Sequence, residues 1–143
     1  MRSFLVGGYV PVPDGDSHDF WEGTAQGRLV LRACRSCGNR QLDSPRRCQA
    51  CHSPDLYLEE ASGSGIVYSF TVVRREPSLA MAESVPYVFA LITLDHGVRI
   101  LSNIINCDPE SVKIGMPVKV VFERISEEIV LPLFSPVDSV MEA

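Results

Sequence analysis

Four of the five cysteines stand in two Cys-x-x-Cys pairs, and this spacing is typical of a metal site. Cys34 and Cys37 form the first pair and Cys48 and Cys51 the second, with ten residues between them. A tetrahedral ion is held by four thiolates that converge from two tight turns. Gly38, directly after the first pair, suits the left-handed backbone position that such a turn needs. The sequence therefore predicts one Zn²⁺ ion bound by these four cysteines.

This site is expected to be structural. A catalytic zinc ion keeps one position open for water, whereas four protein thiolates fill the tetrahedral shell. The segment from Arg28 to Glu60 contains few apolar residues. Metal binding, worth about 10–16 kcal/mol in isolated zinc fingers, would therefore supply its folding energy. We expect this segment to unfold first when the metal is removed.

The cysteines have other possible roles. Disulfide bonds need an oxidising compartment and would leave Cys107 unpaired. A thioredoxin-like redox site carries one Cys-x-x-Cys pair at the start of a helix, whereas this chain has two pairs flanked by Arg, Gly and Pro. His52 could replace a thiolate, but we expect it at the surface because four sulfurs already complete the shell. The sequence does not exclude iron in the same four-cysteine site.

Charge is distributed unevenly along the chain. Residues 27–52 carry six arginines and one aspartate, a net charge of +5, so the rest carries −10 in a chain of net charge −5. Some of this positive charge offsets the charge of roughly −2 on four thiolates with Zn²⁺. Arginine also binds phosphate oxygens through paired hydrogen bonds. The candidate phosphate ligands are Arg35, Arg40, Arg46 and Arg47.

No catalytic constellation is visible in the sequence. The three histidines, His18, His52 and His96, do not stand beside a nucleophile and an orienting carboxylate. Cys107 is expected to be a buried or idle thiol. No Gly-rich phosphate loop follows a strand and opens a helix. We therefore expect no catalytic residue in this chain.

The sequence also gives no sign of membrane association. The longest apolar runs fall far short of the ~20 residues that cross a bilayer. The apolar stretch Phe4–Val10 has one preceding Arg, ends at Pro11 and lacks a cleavage site of small residues. We expect a cytoplasmic protein.

The chain divides into four segments by composition and periodicity. Residues 1–27 are expected to form an arm and a short helix, capped by Asp16 or Ser17 and ended by Gly27. Residues 28–61 form the zinc ribbon, with one strand before the first cysteine pair and another at Leu56–Glu60. Residues 62–136 form a barrel that begins with a hinge at Ser62–Gly65, and residues 137–143 form a tail.

The barrel segment alternates β-forming residues with period two. Pro132 should place the last strand at an edge or near a strand end. A short helical or turn segment is expected at Pro109–Ile114, and Glu76–Pro86 either covers a groove or is a disordered tip. Strands are predicted at Ile66–Val73, Tyr87–Leu94, Val98–Ile105, Val118–Ile125 and Ile129–Phe134. Five strands with one connecting helix predict a mainly β protein with a Greek-key barrel of the oligonucleotide/oligosaccharide-binding (OB) type.

The ordered succession of several sequence blocks resembles the DUF35 family over roughly residues 17–136. The blocks are Phe20-Trp21, Gly27–Leu29, Cys34–Gly38, Ser44–Cys51, Ser62–Val73, Pro86–Val88, Leu94–Arg99, Ile114–Val118 and Val121–Glu123. The resemblance implies a rubredoxin-like zinc ribbon followed by an OB-fold, associated with acyl-CoA. In this chain His52 follows Cys51 where family members usually have Gly. This departure leaves the four ligands intact and affects only the local turn.

The resemblance further implies an accessory subunit without catalytic residues. Such proteins associate with thiolases, lipid-transfer-protein-type aldolases, hydroxymethylglutaryl-CoA synthases or polyketide acyltransferases, and the thiolase-like partner carries the catalytic cysteine and histidines. We therefore expect a hetero-oligomer in which this chain binds and positions an acyl-CoA, or shapes its channel. The four candidate arginines would hold the phosphates of CoA.

Nucleic-acid binding is the alternative function, because zinc ribbons and OB barrels both serve it. Tyr68, Phe70, Tyr87 and Phe89 offer aromatic rings for base stacking. They lie, however, in the part of the chain that carries −10, which would repel a phosphate backbone. A stand-alone hydrolase or redox enzyme is a third possibility, and the sequence offers no residues to support it.

Overall fold

The computed structural model describes residues 11–42, 46–75 and 85–137. The apolar arm and most of the Glu76–Pro86 connection lie outside the described residues, as does all but the first residue of the 137–143 tail. The described elements are α1 (His18–Ala25), β1 (Val30–Cys34), β2 (Arg40–Gln41), β3 (Leu56–Glu60), β4 (Ser64–Val73), β5 (Tyr87–Thr93), β6 (Arg99–Ile104), β7 (Pro117–Arg124) and β8 (Val130–Pro136), with 3-10 turns at Asp95–Gly97 and Pro109–Ser111.

The helix α1 begins after a turn held by Asp14. Its Oδ1 accepts hydrogen bonds from the N–H groups of Asp16 and Ser17, at 3.0 and 2.8 Å. Ser17 occupies the N-cap position, as predicted, but its side chain makes no capping hydrogen bond. Gly27, at φ +74°, follows the end of the helix, as its sequence position predicts.

The zinc-ribbon segment forms a three-stranded antiparallel sheet in the order β2-β1-β3. The central strand β1 pairs with β3 along its whole length, from Val30↔Glu60 to Cys34↔Leu56. The shorter pairing with β2 joins Arg32 to Gln41 and Ala33 to Arg40. This sheet fixes Cys34 at the end of β1, where both cysteine pairs meet.

The five remaining strands close into a barrel in the order β4-β5-β6-β8-β7, which confirms the predicted OB-fold. The first barrel strand starts two residues earlier than predicted, because Ser64 and Gly65 pair with Lys119 and Val118 of β7 and close the barrel. A Cβ at Gly65 would lie 2.5 Å from Cγ2 of Ile92. Gly65 therefore allows β4 to approach β5 closely at this point.

Pro132 is the third of the seven residues of β8, which pairs with β7 along its length and with β6 at a single position. The β8 ladder with β7 runs from Val118↔Pro136 to Arg124↔Val130, and Pro132 pairs with Phe122. Its carbonyl accepts the hydroxyl proton of Ser102 in β6, at 2.7 Å. The nitrogen and oxygen of one strand residue point to the same side. The missing N–H of Pro132 therefore faces β6, which pairs with β8 only at Ile104↔Phe134.

The helix and the base of the ribbon share the barrel's hydrophobic core. Phe20 of α1, Leu29 directly before β1 and Leu31 of β1 belong to the same buried cluster as Phe134 of β8. The outer half of the ribbon is different: among its described residues 35–42 and 46–55, those that are buried are Gln41 and Cys48. Metal removal should therefore loosen the outer half and leave β1 in place.

The predicted hinge at Ser62–Gly65 is tied to the barrel on both sides. The Ser62 N–H and hydroxyl donate to the two oxygens of the Asp95 carboxylate, at 2.7 and 2.9 Å. Lys119 Nζ donates to the carbonyl of Ser62, at 3.2 Å. The two bonds from Ser62, that of its N–H first, lower the pKa of Asp95 against the effect of burial. Separately, no helix in the described part of the chain is long and apolar enough to cross a membrane.

Candidate metal centre

The four cysteines of the two Cys-x-x-Cys pairs converge as predicted. Their Sγ atoms all lie within 4.8 Å of one another. The distance from Cys34 to Cys51 is 3.6 Å and that from Cys37 to Cys48 is 3.5 Å. Metal–sulfur bonds of 2.3 Å in a tetrahedron place the sulfurs about 3.8 Å apart. The four side chains can therefore bind one metal ion.

The two turns that carry the cysteines have matching backbone geometry. Gly38 N–H donates to the carbonyl of Cys34 and His52 N–H to that of Cys48, both at 2.9 Å. Both residues have left-handed backbones, with φ +80° at Gly38 and +66° at His52. His52 therefore takes the position that Gly38 takes in the first turn, and its exposed side chain lies outside the cysteine cluster.

Backbone N–H groups stabilise one thiolate in each turn. The N–H groups of Cys51 and then of Ala50 lower the pKa of Cys48 to about 6, against the effect of burial. The N–H groups of Cys37 and Ser36 lower the pKa of Cys34 in the same way. Cys48 is therefore available to a cation as a thiolate near neutral pH, and the lowered pKa of Cys34 favours its thiolate form in the same direction.

The opposite member of each close sulfur pair retains its proton in the metal-free chain. The N–H of Asn39 lowers the pKa of Cys37, but the hydrogen bond to Cys48, burial and the other thiols outweigh it and raise this pKa to about 12. The pKa of Cys51 is also raised: the N–H of Ser53 lowers it, but burial and the bonds to Cys34 and Cys48 prevail. A metal ion that binds all four sulfurs must therefore release protons.

Gln41 positions the second turn, and the sequence analysis did not single it out. Its buried side-chain oxygen accepts the N–H of Gln49 at 2.9 Å, and its Nε2 donates to the carbonyl of Arg47 at 3.1 Å. The hydroxyls of Ser36 and Ser53 link the two turns at 2.9 Å. A polar residue in a two-residue strand gives no pattern that marks it in advance.

The four candidate arginines lie around the cysteine cluster, and each has a partner within the chain. Arg35 pairs with Asp55 at 3.3 Å and lies over the Tyr57 ring at 4.4 Å. The other three have acidic or carbonyl partners: Arg40 with Glu59 at 3.1 Å, Arg46 with Asp16 at 3.1 Å, and Arg47 with the His52 carbonyl at 3.3 Å. Arg40 is half-buried, and the other three side chains are exposed.

The histidines are distributed over three separate surfaces. His18 lies beside Asp19 and Glu22 on α1, and His52 lies outside the cysteine cluster. His96 Nε2 is 3.5 Å from the carboxylate of Glu59 on the ribbon, so it joins the β5–β6 turn to β3. Cys107 is half-buried and packs against the core.

Comparison with known proteins places these features in a family. The family model described as "ChsH2, C-terminal OB-fold domain" matches residues 58–123. A "DUF35 domain-containing scaffold protein" of Methanocaldococcus jannaschii is 40% identical over 101 residues, which cover 70% of this chain and 71% of that protein. The chain belongs to the DUF35 family. The resemblance noted in the sequence is thereby confirmed.

Other DUF35 relatives carry names that refer to enzymes. A "Probable enoyl-CoA hydratase alpha subunit" of Thermomonospora curvata is 34% identical over 126 residues, 88% of this chain. The present chain spans 39% of that relative's length. Among solved structures, a chain of "Ltp2-ChsH2(DUF35) aldolase" superposes with a TM-score of 0.79 at 34% identity, covering 89% of this chain and 98% of that chain.

Proposed function

We propose that this DUF35 chain is a non-catalytic accessory subunit of a thiolase-like enzyme that acts on acyl-CoA. The observation that carries the proposal is the match to a DUF35 chain in a structure named as an aldolase with a second component, Ltp2. That match covers nearly the whole of the other chain at 34% identity. A hydratase alpha subunit among the relatives supports a role in acyl-CoA metabolism.

The metal ion is proposed to be a single structural Zn²⁺. Four sulfurs at tetrahedral spacing fit the closed shell of a structural zinc site. The backbone N–H bonds to Cys48 and Cys34 favour the thiolate form that zinc requires. Cys34, Cys37, Cys48 and Cys51 would fill all four positions and leave none for water or substrate. The zinc ribbon at 28–61 and the barrel at 62–136 would then serve as one binding scaffold.

The arginines around the zinc ribbon are the proposed contact to the phosphates of CoA. Arg46 uses Nε and Arg47 uses Nη1 in their described contacts, and a guanidinium has five N–H donors. Arg35 and Arg40 would complete a positively charged surface beside an acidic body. The phosphates would compete with Asp16, Asp55 and Glu59 for these groups.

Co-expression tests the subunit proposal most directly. The tagged chain is expressed with each thiolase-like polypeptide of its source organism in turn: thiolase, aldolase, synthase and acyltransferase. One of these should co-purify at constant stoichiometry through size-exclusion chromatography, and the complex should turn over an acyl-CoA. Failure of every member of the panel to bind would contradict the proposal.

The CoA contact is tested on the same complex. The double variant Arg46→Gln/Arg47→Gln should bind CoA more weakly than the wild type does. The same substitution should reduce the affinity for dephospho-CoA by a smaller factor. Arg124→Gln is the matched control, because Arg124 lies on the barrel and donates to the carbonyls of Ser126 and Glu127. Equal CoA affinity of the wild type and the double variant would remove these arginines from the proposed site.

A further inference from the structure

The strands β4, β5 and β6 carry an unusual composition for an acidic protein. They contain no Asp or Glu and one charged residue, Arg99, although the chain has 18 acidic residues. A sheet with one solvated face normally alternates apolar residues inside with polar residues outside. The run Val88–Ile92 is apolar at every position. Such runs are typical of strands that are covered on both faces.

The large outward side chains of these strands are mostly apolar and lie on one side of the sheet. A bulge between Val67 and Ser69 turns the extra residue Tyr68 outward. On the neighbouring strands, Leu91 pairs directly with Leu101. We call this surface the apolar face, and its residues are Ile66, Tyr68, Phe89, Leu91, Arg99 and Leu101.

The apolar face is large enough to form the centre of an interface. The exposed fractions are 45% for Ile66, 50% for Tyr68, 44% for Phe89 and 62% for Leu101. Large side chains cover about 150–250 Å² each, so these four leave roughly 300–400 Å² of apolar surface in water. Contiguous patches of this size on single chains are often functional. A stable interface needs about 800 Å² on each partner, and the polar residues around the face would supply the rim.

Arg99 gives the apolar face its charge preference. Its guanidinium carbon lies 3.8 Å from the centre of the Tyr68 ring, so the side chain reaches across β5 to β4. It forms no ion pair with a carboxylate of residues 11–42, 46–75 or 85–137. Tyr and Arg are enriched among the residues that dominate interface energies, and their stacking here fixes both side chains before binding.

We propose that the apolar face docks on the thiolase-like subunit, at an apolar surface of the partner that places a carboxylate opposite Arg99. This inference rests on the proposed function and names the surface that would serve it. A guanidinium removed from water by docking needs a carboxylate to offset its desolvation. The acid-free face cannot supply that carboxylate itself.

The same observations argue against two other occupants. In a two-fold dimer, a second copy of this chain would present the same acid-free face, so both Arg99 side chains would lack a carboxylate. A single nucleic-acid strand needs a cationic groove along its phosphates, and the face provides one cation.

Two substitutions on the face and one away from it test the proposal. Leu101→Glu and Arg99→Glu place a negative charge where an apolar group and a cation are expected to be buried. Leu58→Glu is the matched control, because Leu58 is 49% exposed and lies on β3, in a different sheet from the strands that carry the apolar face. Circular dichroism melts first establish that all three variants fold. The affinity of each for the thiolase-like subunit found by co-expression is then measured by biolayer interferometry.

Leu101→Glu and Arg99→Glu should each weaken the complex by at least about tenfold, and Leu58→Glu by less than about twofold. Wild-type affinity of both face variants would overturn the docking inference and leave the proposed function standing. Absence of any complex with the wild-type chain would overturn both. Two other results would show that the apolar face binds a different partner and would also overturn the inference. One is a homodimer that Leu101→Glu dissociates, and the other is oligothymidine binding that Arg99→Glu abolishes.

Discussion

Removal of the metal should open the outer half of the zinc ribbon and leave the barrel folded. The described residues 35–42 and 46–55 include two buried side chains, Gln41 and Cys48, so little apolar burial holds this part. The base of the ribbon differs, because Leu29 and Leu31 are each 1% exposed within the core cluster that contains Phe134. The metal therefore holds the turns, and the core holds β1.

The size of the effect follows from these contacts. With the metal bound, opening of the turns must overcome about 10–16 kcal/mol of metal binding, so their amides should be strongly protected from exchange. Without the metal, the opening free energy of the turns falls close to zero, as in other weakly packed segments. A loss of at least ~5 kcal/mol accelerates exchange more than a thousandfold.

Hydrogen exchange with mass spectrometry measures this directly. The protein is compared before and after treatment with a chelator and a reductant, and metal content is determined by elemental analysis. Peptides that contain the Gly38 and His52 amides should lose protection, and peptides from β5 should keep theirs. Cys37→Ser should reproduce the change, and Cys107→Ser, which leaves the cluster intact, should not. Simultaneous loss of protection in both regions would show that the metal stabilises the barrel core as well as the turns, and would refute the prediction.

Three further predictions concern single residues around the ribbon and its junction. Gln41→Ala should destabilise the turns by about 1–3 kcal/mol, because it removes two part-buried hydrogen bonds to the backbone of residues 47 and 49. Chemical denaturation of the metal-loaded protein measures this. His52→Gly should raise the free energy of unfolding by about 0.5–1 kcal/mol, because it relieves the strain of a left-handed backbone at a residue with a side chain. Gly38→Ala should lower the free energy of unfolding by about 1–2 kcal/mol for the opposite reason. Equal melting temperatures of both variants and the wild type would show that neither backbone is strained. The pKa of Asp95 is lowered, first by the Ser62 N–H, so the ionised carboxylate stabilises the folded protein at pH values above the ordinary pKa of 3.8. This stabilisation is lost as the pH falls through the pKa of the folded state. Asp95→Asn should therefore lose less stability than the wild type on acidification below about pH 4.

The sequence predicted the parts of the structure that depend on spacing and periodicity. Two Cys-x-x-Cys pairs indicated the converging sulfurs, and period-two patterning indicated the five barrel strands within about two residues. Glycine positions were also informative. Gly27 and Gly38 adopt the left-handed backbones that their places after a helix and a cysteine pair require.

The sequence was less informative where contacts join distant residues. The sequence predicted that Pro132 lies at an edge or near a strand end, but it did not identify β6 as the neighbour, because the sparse pairing of β6 with β8 is not visible in a strand pattern. The bond of Ser62 to Asp95 joins residues that are far apart in the chain. The apolar face did leave a signal, since Val88–Ile92 does not alternate. The sequence analysis considered Tyr68 and Phe89 only as rings for base stacking, because the strand pattern alone does not say which side of the sheet lacks a neighbour.

The central claim is that this chain assists a reaction centre located on another polypeptide. The most direct measurement is kcat/KM for acyl-CoA conversion by the isolated chain, by the isolated thiolase-like subunit and by their purified complex. The account predicts no turnover by the chain alone and a higher kcat/KM for the complex than for the partner alone. Turnover by the isolated chain at the rate of the complex would contradict it.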